Sequence, residues 1–243
     1  MKILKTYNEL FESIVKELDY SYQNLTTLSE LPETLERLDC SNNQIKELPK
    51  LPNTLIKLSC SYNQIKELPE LPKSLEKLYC YNNKLTELPK LPNTLVDLSC
   101  SYNQIKELPE LPESLIELNC SYNKLSELHE LSEALEILNC SDNQLTELSE
   151  LPDSLEVLYC ENNKLPELSE LPDSLKELYC SNNELTELPE LPDTLNILYC
   201  YNNKLSYNDL EGYWKWFHEY YPIHYPDRYK RYLTKKKSKK YNI

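Results

Sequence analysis

The sequence predicts a β-solenoid: a horseshoe of short parallel strands on a concave face, extended polyproline-like segments on the convex face, and short helical caps at both ends. Three observations predict it. Cysteine recurs every 20 residues, at Cys40, Cys60, Cys80, Cys100, Cys120, Cys140, Cys160, Cys180 and Cys200. A fixed period of this length means stacked coils. Each cysteine also sits in one frame, written in a single unit as Leu55, Leu58, Cys60, Asn63, Ile65 and Leu68, then Pro69-Glu70-Leu71-Pro72. Finally, the 243 residues hold 16 prolines and one glycine, Gly212, which argues against an ordinary globule.

Each element of the unit has a physical reason. Leu58-Ser59-Cys60 alternates apolar and polar, the mark of a short strand with Leu58 and Cys60 turned inward. Asn63 follows at the turn, where an asparagine tolerates left-handed backbone and its amide bonds nearby backbone groups. Stacked in register, Asn43 through Asn203 should form a ladder, each amide satisfying the next coil. The return path Leu-Pro-x-Leu-Pro excludes helix, because proline removes a donor and fixes φ. About ten strands at ~4.8 Å give a sheet roughly 45 Å long.

The ends of such a stack need covers, since no coil buries its leucines alone. At the N-terminus, Thr6-Tyr-Asn-Glu9 is a capping box, and Leu10, Phe11, Ile14, Val15 and Leu18 share an apolar face. At the C-terminus, Asn208-Asp-Leu-Glu211 opens a helix with Leu210, Tyr213, Trp214 and Phe217 on one side, ended by Pro222. The expected organisation is a helical cap at 1–17, about ten repeats at 18–205, an aromatic cap at 206–226, and a flexible basic tail at 227–243.

Composition excludes several classes. Lys+Arg is 26 against Asp+Glu 40, a net charge of −14, and 40% of residues are apolar. That is too apolar for a disordered chain, and no run approaches a membrane span. Met1-Lys-Ile-Leu-Lys-Thr6 is too polar for a signal peptide. The expected location is the cytoplasm, with the nucleus open through the basic tail. Inward cysteines act as small hydrophobes, and single thiols on parallel strands do not converge on a zinc ion. The odd count cannot fully pair. Free, buried thiols are therefore expected. His129, His218 and His224 join no catalytic constellation, and one glycine cannot build a phosphate loop. The chain is not expected to be an enzyme or to take a cofactor or metal.

The frame L-x-x-L-x-C-x-x-N-x-[LI]-x-x-L-P-x-L-P, spanning about residues 18–205, resembles the leucine-rich repeat family. Its 20-residue Leu-Pro-x-Leu-Pro units are similar to those of secreted effectors from enteric pathogens and to the leucine-rich repeat proteins of giant amoeba-infecting viruses. Three arginines against 23 lysines, with abundant Asn, Tyr and Ile, suggest an AT-rich genome and favour the viral likeness. The resemblance implies protein recognition or scaffolding. Some of those effectors carry a C-terminal ubiquitin-ligase domain with a catalytic cysteine. Only about 38 residues follow Leu205 and none is cysteine, so no catalytic residue carries over.

Alternate strand residues should point into the hollow. Those positions are rich in Tyr, Ser and Asn, the composition of an antibody paratope. The candidate binding residues are Tyr62, Tyr79, Tyr81, Tyr102, Tyr122, Tyr159, Tyr179, Tyr199 and Tyr201, with Arg37, Lys57 and Lys77. Tyr159, Tyr179 and Tyr199 share one position in successive strands and should stack, with Ile137, Val157 and Ile197 beside them. The expected function is a non-catalytic protein-interaction module or scaffold, monomeric and off the membrane, whose partner the sequence does not name. Two alternatives stay open. One is a substrate-receptor adaptor for a ubiquitin ligase. The other is nucleic-acid binding or nuclear import through Lys235, Lys236, Lys237, Lys239 and Lys240.

Overall fold

A computed structural model describes residues 15–219, 221–224, 229–230 and 232–234. Ten three-residue strands form one parallel sheet in chain order. They are β1 (Glu17–Asp19), β2 (Arg37–Asp39), β3 (Lys57–Ser59), β4 (Lys77–Tyr79), β5 (Asp97–Ser99), β6 (Glu117–Asn119), β7 (Ile137–Asn139), β8 (Val157–Tyr159), β9 (Glu177–Tyr179) and β10 (Ile197–Tyr199). Register is one repeat throughout, as in Leu58 opposite Leu78 and Leu78 opposite Leu98. The central leucine of every strand from β2 to β10 is buried, and so is each cysteine that follows. Leu55, Leu58, Cys60 and Ile65 are wholly inaccessible and stack on their counterparts in the next coil. The result is the solenoid of about nine turns that the period predicts.

The asparagine ladder forms, with its direction reversed. Asn123 Nδ2 donates to the carbonyls of Cys100, Cys120 and Ser121 at 3.1, 3.1 and 3.2 Å. Its Oδ1 accepts the Ile105 N–H at 3.0 Å. Cys100 and Ile105 belong to the preceding coil, not the following one. Nor does the ladder residue take the left-handed backbone. That falls one residue earlier, at Asn42, Tyr62, Asn82, Tyr102, Tyr122, Asp142, Asn162, Asn182 and Asn202, with φ of 52–57°. The ladder amide points inward, so the residue before it makes the reversal.

A second ladder runs along the outer side. Ser74 Oγ donates to the carbonyls of Asn53 and Leu55 at 2.8 and 2.7 Å. Thr54, Thr94, Ser114, Ser154 and Thr194 repeat the arrangement. Ala134 interrupts the column. In the same unit serine replaces proline at Ser132, whose hydroxyl donates to Glu113 O at 2.8 Å and accepts Ala134 N–H at 3.2 Å. The lost tie is restored two residues away.

The C-terminal cap comprises α1 (Leu210–Glu219) and α2 (Tyr221–His224). Asp209 caps α1, its Oδ1 accepting Gly212 N–H at 2.7 Å. A Cβ on Gly212 would lie 3.1 Å from Tyr207 Cβ, so the lone glycine allows a close approach. Tyr207, Tyr213 and Phe217 are buried over the last coil. Tyr199 and Asp209 form an antiparallel bridge, and Cys200 N–H donates to Asn208 O at 3.1 Å. Both contacts close the open edge of β10.

Two expected boundaries move. Residues 229–230 and 232–234 are helical, and Tyr232 is buried, its ring 4.8 Å from Phe217. The start of the expected flexible tail therefore belongs to the cap, because a buried aromatic anchors it. At the other end, Val15 and Lys16 are not helical and Glu17 already pairs in β1. The helix expected at Thr6 to Glu17 otherwise lies outside the described residues.

Candidate binding surface

Strand residues flanking each central leucine face the hollow, because alternate side chains leave opposite sides of a sheet. At β8 to β10 this rule brings three tyrosines together. The Tyr159 and Tyr179 rings stack at 4.5 Å, and Tyr179 and Tyr199 at 5.3 Å, with interplanar angles of 19° and 21°. Tyr179 Oη donates to Glu177 at 3.1 Å. Burial and that carboxylate push the phenol up to about 12. Tyr199, at the outer end, is 48% exposed. The shared register thus builds an aromatic wall, which Ile137, Val157 and Ile197 adjoin on the strand positions before the leucine.

A second wall stands at β4. Tyr79 Oη donates to Asp97 Oδ2, and burial together with that carboxylate raises the phenol well above its ordinary range. Lys77 Nζ lies 3.7 Å from the same oxygen. Lys57 Nζ sits over the Tyr79 ring, 5.2 Å from its centre. Arg37 pairs with Glu17. The three cations picked out as candidate contacts are therefore each tied to a neighbour. Their charge is spent within the sheet, where adjacent strands place a partner one repeat away.

Between the walls lies a hollow of about 550 Å³. Ser99, Asn119 and Asn139 make its floor; Tyr79 and Tyr81 bound one side and Tyr159 the other. Asp39, Asp97 and Glu117 also line it. Of the residues after the cysteines, Ser41, Ser61 and Tyr81 line the hollow, while Ser101, Ser121, Ser141 and Ser181 are buried and do not. Small side chains there are covered by their neighbours. Glu161 replaces serine in this column, and burial followed by the nearby Asp142 raises its carboxyl.

Tyr62, Tyr102 and Tyr122 do not line the hollow as expected. They occupy the left-handed turn position at the edge where strands end, and are 44–49% exposed. Tyr102 and Tyr122 stack at 4.1 Å, and a hydrogen bond with Tyr102 helps push Tyr122 up to about 12. Tyr62 packs edge-on to Tyr81 at 5.3 Å. Tyr201 is 43% exposed at the last coil. The predicted surface is thus two surfaces, a hollow and an aromatic rim. Alternation along the strands places Asp97, Glu117, Asn119 and Asn139 on the concave side as well, but the candidates drawn from that side were aromatic and basic and left these four out. Asn119 and Asn139 share the column of Tyr79 and Tyr159, and Asp97 and Glu117 share that of Lys57 and Lys77.

All nine cysteines are buried free thiols. Burial pushes Cys100 and Cys140 up to about 12 and Cys60, Cys80 and Cys120 well above their ordinary value. Protonated thiols are poor nucleophiles and poor ligands. Among the described residues no cluster of His, Cys, Asp and Glu could hold a metal ion, and no helix is long and apolar enough to cross a membrane. His129 Nε2 lies 3.1 Å from Glu107 on the outer side. Lys235, Lys236, Lys237, Lys239 and Lys240 lie outside the described residues.

A one-repeat parallel register, an inward Leu-x-Cys strand, an asparagine ladder and an open polar-aromatic face together define a leucine-rich repeat solenoid, a fold that typically binds proteins and is typically non-catalytic. Family profiles agree: "Leucine Rich repeats (2 copies)" matches residues 33–73, 53–93 and 73–113, and "Leucine Rich Repeat" matches 174–195. The chain belongs to the leucine-rich repeat family. It is 33% identical to a Shigella effector leucine-rich repeat domain, over 72% of this chain and 73% of that one, with a TM-score of 0.54. It is 39% identical to YopM from Yersinia enterocolitica, over 79% of this chain and 47% of that one, at a TM-score of 0.71. For YopM of Yersinia pestis, a leucine-rich effector protein, the values are 38%, 80%, 62% and 0.69. The chain thus spans about half to three-fifths of the length of the Yersinia proteins. No curated protein sequence matches it.

Proposed function

We propose that the chain is a non-catalytic module that binds a protein partner on its concave face, with the Tyr159–Tyr179–Tyr199 stack as anchor. The stack carries this reading. It presents large, rigid, half-exposed rings beside Ile137, Val157 and Ile197, and such aromatic patches mark interaction sites. The rings contribute little to the core, so their clustering is not explained by folding. Likeness to bacterial effectors supports a role in recognising proteins of another cell. The buried thiols and AT-rich composition fit a reducing host cytoplasm and a viral source.

The test pairs binding with melting. Tyr179→Ala with Tyr199→Ala should weaken capture of the partner by about thirtyfold, equivalent to ~2 kcal/mol at a hot spot. Melting should shift little, since exposed substitutions stay within ~0.5 kcal/mol and each broken ring pair adds roughly 0.2–1 kcal/mol. Full-strength capture by the double variant, with a photo-crosslinker at Ser99 failing to reach the partner, would sink the concave reading. Nuclear import or nucleic-acid contact through Lys235 to Lys240, and an adaptor role for a ubiquitin ligase, are readings of the sequence that no observation on the described array favours.

A further inference from the structure

We infer that the hollow between the two aromatic walls takes a cationic segment of the partner, a stretch of chain bearing arginine. This rests on the concave-face reading above and specifies the chemistry at one part of that face. Three carboxylates line the hollow, from Asp39, Asp97 and Glu117, and no lysine or arginine does. The cations nearest to it already have partners: Lys77 lies 3.7 Å from Asp97 Oδ2, Lys57 sits over the Tyr79 ring and Arg37 pairs with Glu17.

Register sharpens the case. Asp97 and Glu117 stand directly opposite each other on β5 and β6. Like charges in that relation are destabilising. Lys77 relieves the pair at one end only, and both it and Tyr79 reach Oδ2 of Asp97. Among the described residues no group reaches Oδ1 of Asp97, and Glu117 holds neither a hydrogen bond nor an ion pair. The Asp97 side chain is only 16% exposed, so a cation there meets a partly desolvated carboxylate, where pairing is stronger than on an open surface. Tyr79, Tyr81 and Tyr159 add ring faces on both sides. Guanidinium stacks on such rings while forking onto carboxylate, which ammonium does less well. The volume, about 550 Å³, is within the range of pockets that enclose drug-sized ligands and admits an arginine side chain with its flanking backbone.

The experiment must separate this site from the acidity of the whole chain. The probes are fluorescein-labelled nonapeptides of glycine and serine carrying three arginines, three lysines or three glutamates, titrated into the full chain at physiological salt. Anisotropy should rank arginine above lysine, with glutamate not binding. Glu117→Gln should weaken the arginine peptide about tenfold, and Asp97→Asn with Glu117→Gln further. Glu127→Gln with Glu147→Gln, on the outer side, should change it less than twofold. Glu117→Gln leaves the Tyr79 contact intact and so serves as the variant that cannot fail by misfolding of that contact. Equal weakening by inner and outer neutralisation overturns the site, because the attraction is then the field of the whole chain. Failure of the arginine peptide to bind, while capture of the protein partner still needs Tyr179 and Tyr199, overturns the cationic segment and leaves the concave reading standing.

Discussion

Replacing Asn123 by alanine tests the ladder that lets coils stack without glycine. Four hydrogen bonds disappear, but the cost is not four times one bond. The Cys100 carbonyl keeps Asn103 Nδ2, the Cys120 carbonyl keeps Asn143 Nδ2, and the Ser121 carbonyl keeps Tyr102 N–H. Only the Ile105 N–H loses its single partner, and Ile105 is wholly buried. One orphaned buried donor costs about 1–3 kcal/mol. In a chain of this size ~2 kcal/mol lowers Tm by roughly 4–8 °C. Asn43→Ala should cost less than ~1 kcal/mol by the same reasoning, because the groups it frees, Gln23 and Leu25 N–H, lie in the outermost coil where water can reach them. Asn123→Asp should be worse than alanine: it keeps an acceptor for Ile105 but turns a carboxylate oxygen on three carbonyls. Melting of the three variants, with hydrogen exchange at the Ile105 amide, is the assay. Equal losses at positions 43 and 123, or undiminished Ile105 protection in Asn123→Ala, would refute the single-orphan account.

Three further outcomes are expected. The thiols should make the fold sensitive to alkali: Cys100 and Cys140 are held near 12 against an ordinary 9.0, so the folded chain keeps protons the unfolded chain releases. Stability is then full below pH 9 and falls as pH rises, by about 1.4 kcal/mol per thiol at pH 10; a Tm unchanged between pH 8 and 10.5, or thiols that react with dye in the native state, would contradict it. Tyr22 holds a φ of 56° at 76% exposure, so Tyr22→Asn should stabilise by up to about 1 kcal/mol, read as a rise in Tm. Truncation after Leu205 should expose Cys200 and the edge of β10 and cause aggregation or end-fraying, while truncation after Leu233 keeps Tyr232 and should be harmless; equal melting of the two would remove the lid from Tyr207, Tyr213 and Phe217.

Strict repetition made most of the fold legible. A period of 20 fixes the register, since every coil must bury the same leucines against the next, and a slip would put Leu58 opposite a polar residue. It also fixes which columns meet, and so the Tyr159–Tyr179–Tyr199 stack. The serine and threonine ladder was equally repetitive and passed unread, because Ser and Thr look like ordinary turn residues until the carbonyls they serve are placed.

The sequence alone determined the coil, its inward face, its buried cysteines and the need for a cover at the C-terminal end. Tertiary structure alone decided which exposed residues act together. Tyr62, Tyr102 and Tyr122 share the chemistry of the concave tyrosines but stand on the rim, because the inward turn of the next residue's amide throws the backbone over at that point. Arg37, Lys57 and Lys77 stand among the candidate binding residues in the sequence, yet each meets a partner on the adjacent strand. Asp97 and Glu117 fall on the concave side by alternation alone, and the pairing of β5 with β6 makes them the acidic centre of the hollow. Repetition dictates what is buried, since burial is shared by every coil. The binding surface is written in the departures from repetition, and a departure acquires meaning only from its neighbours across the sheet.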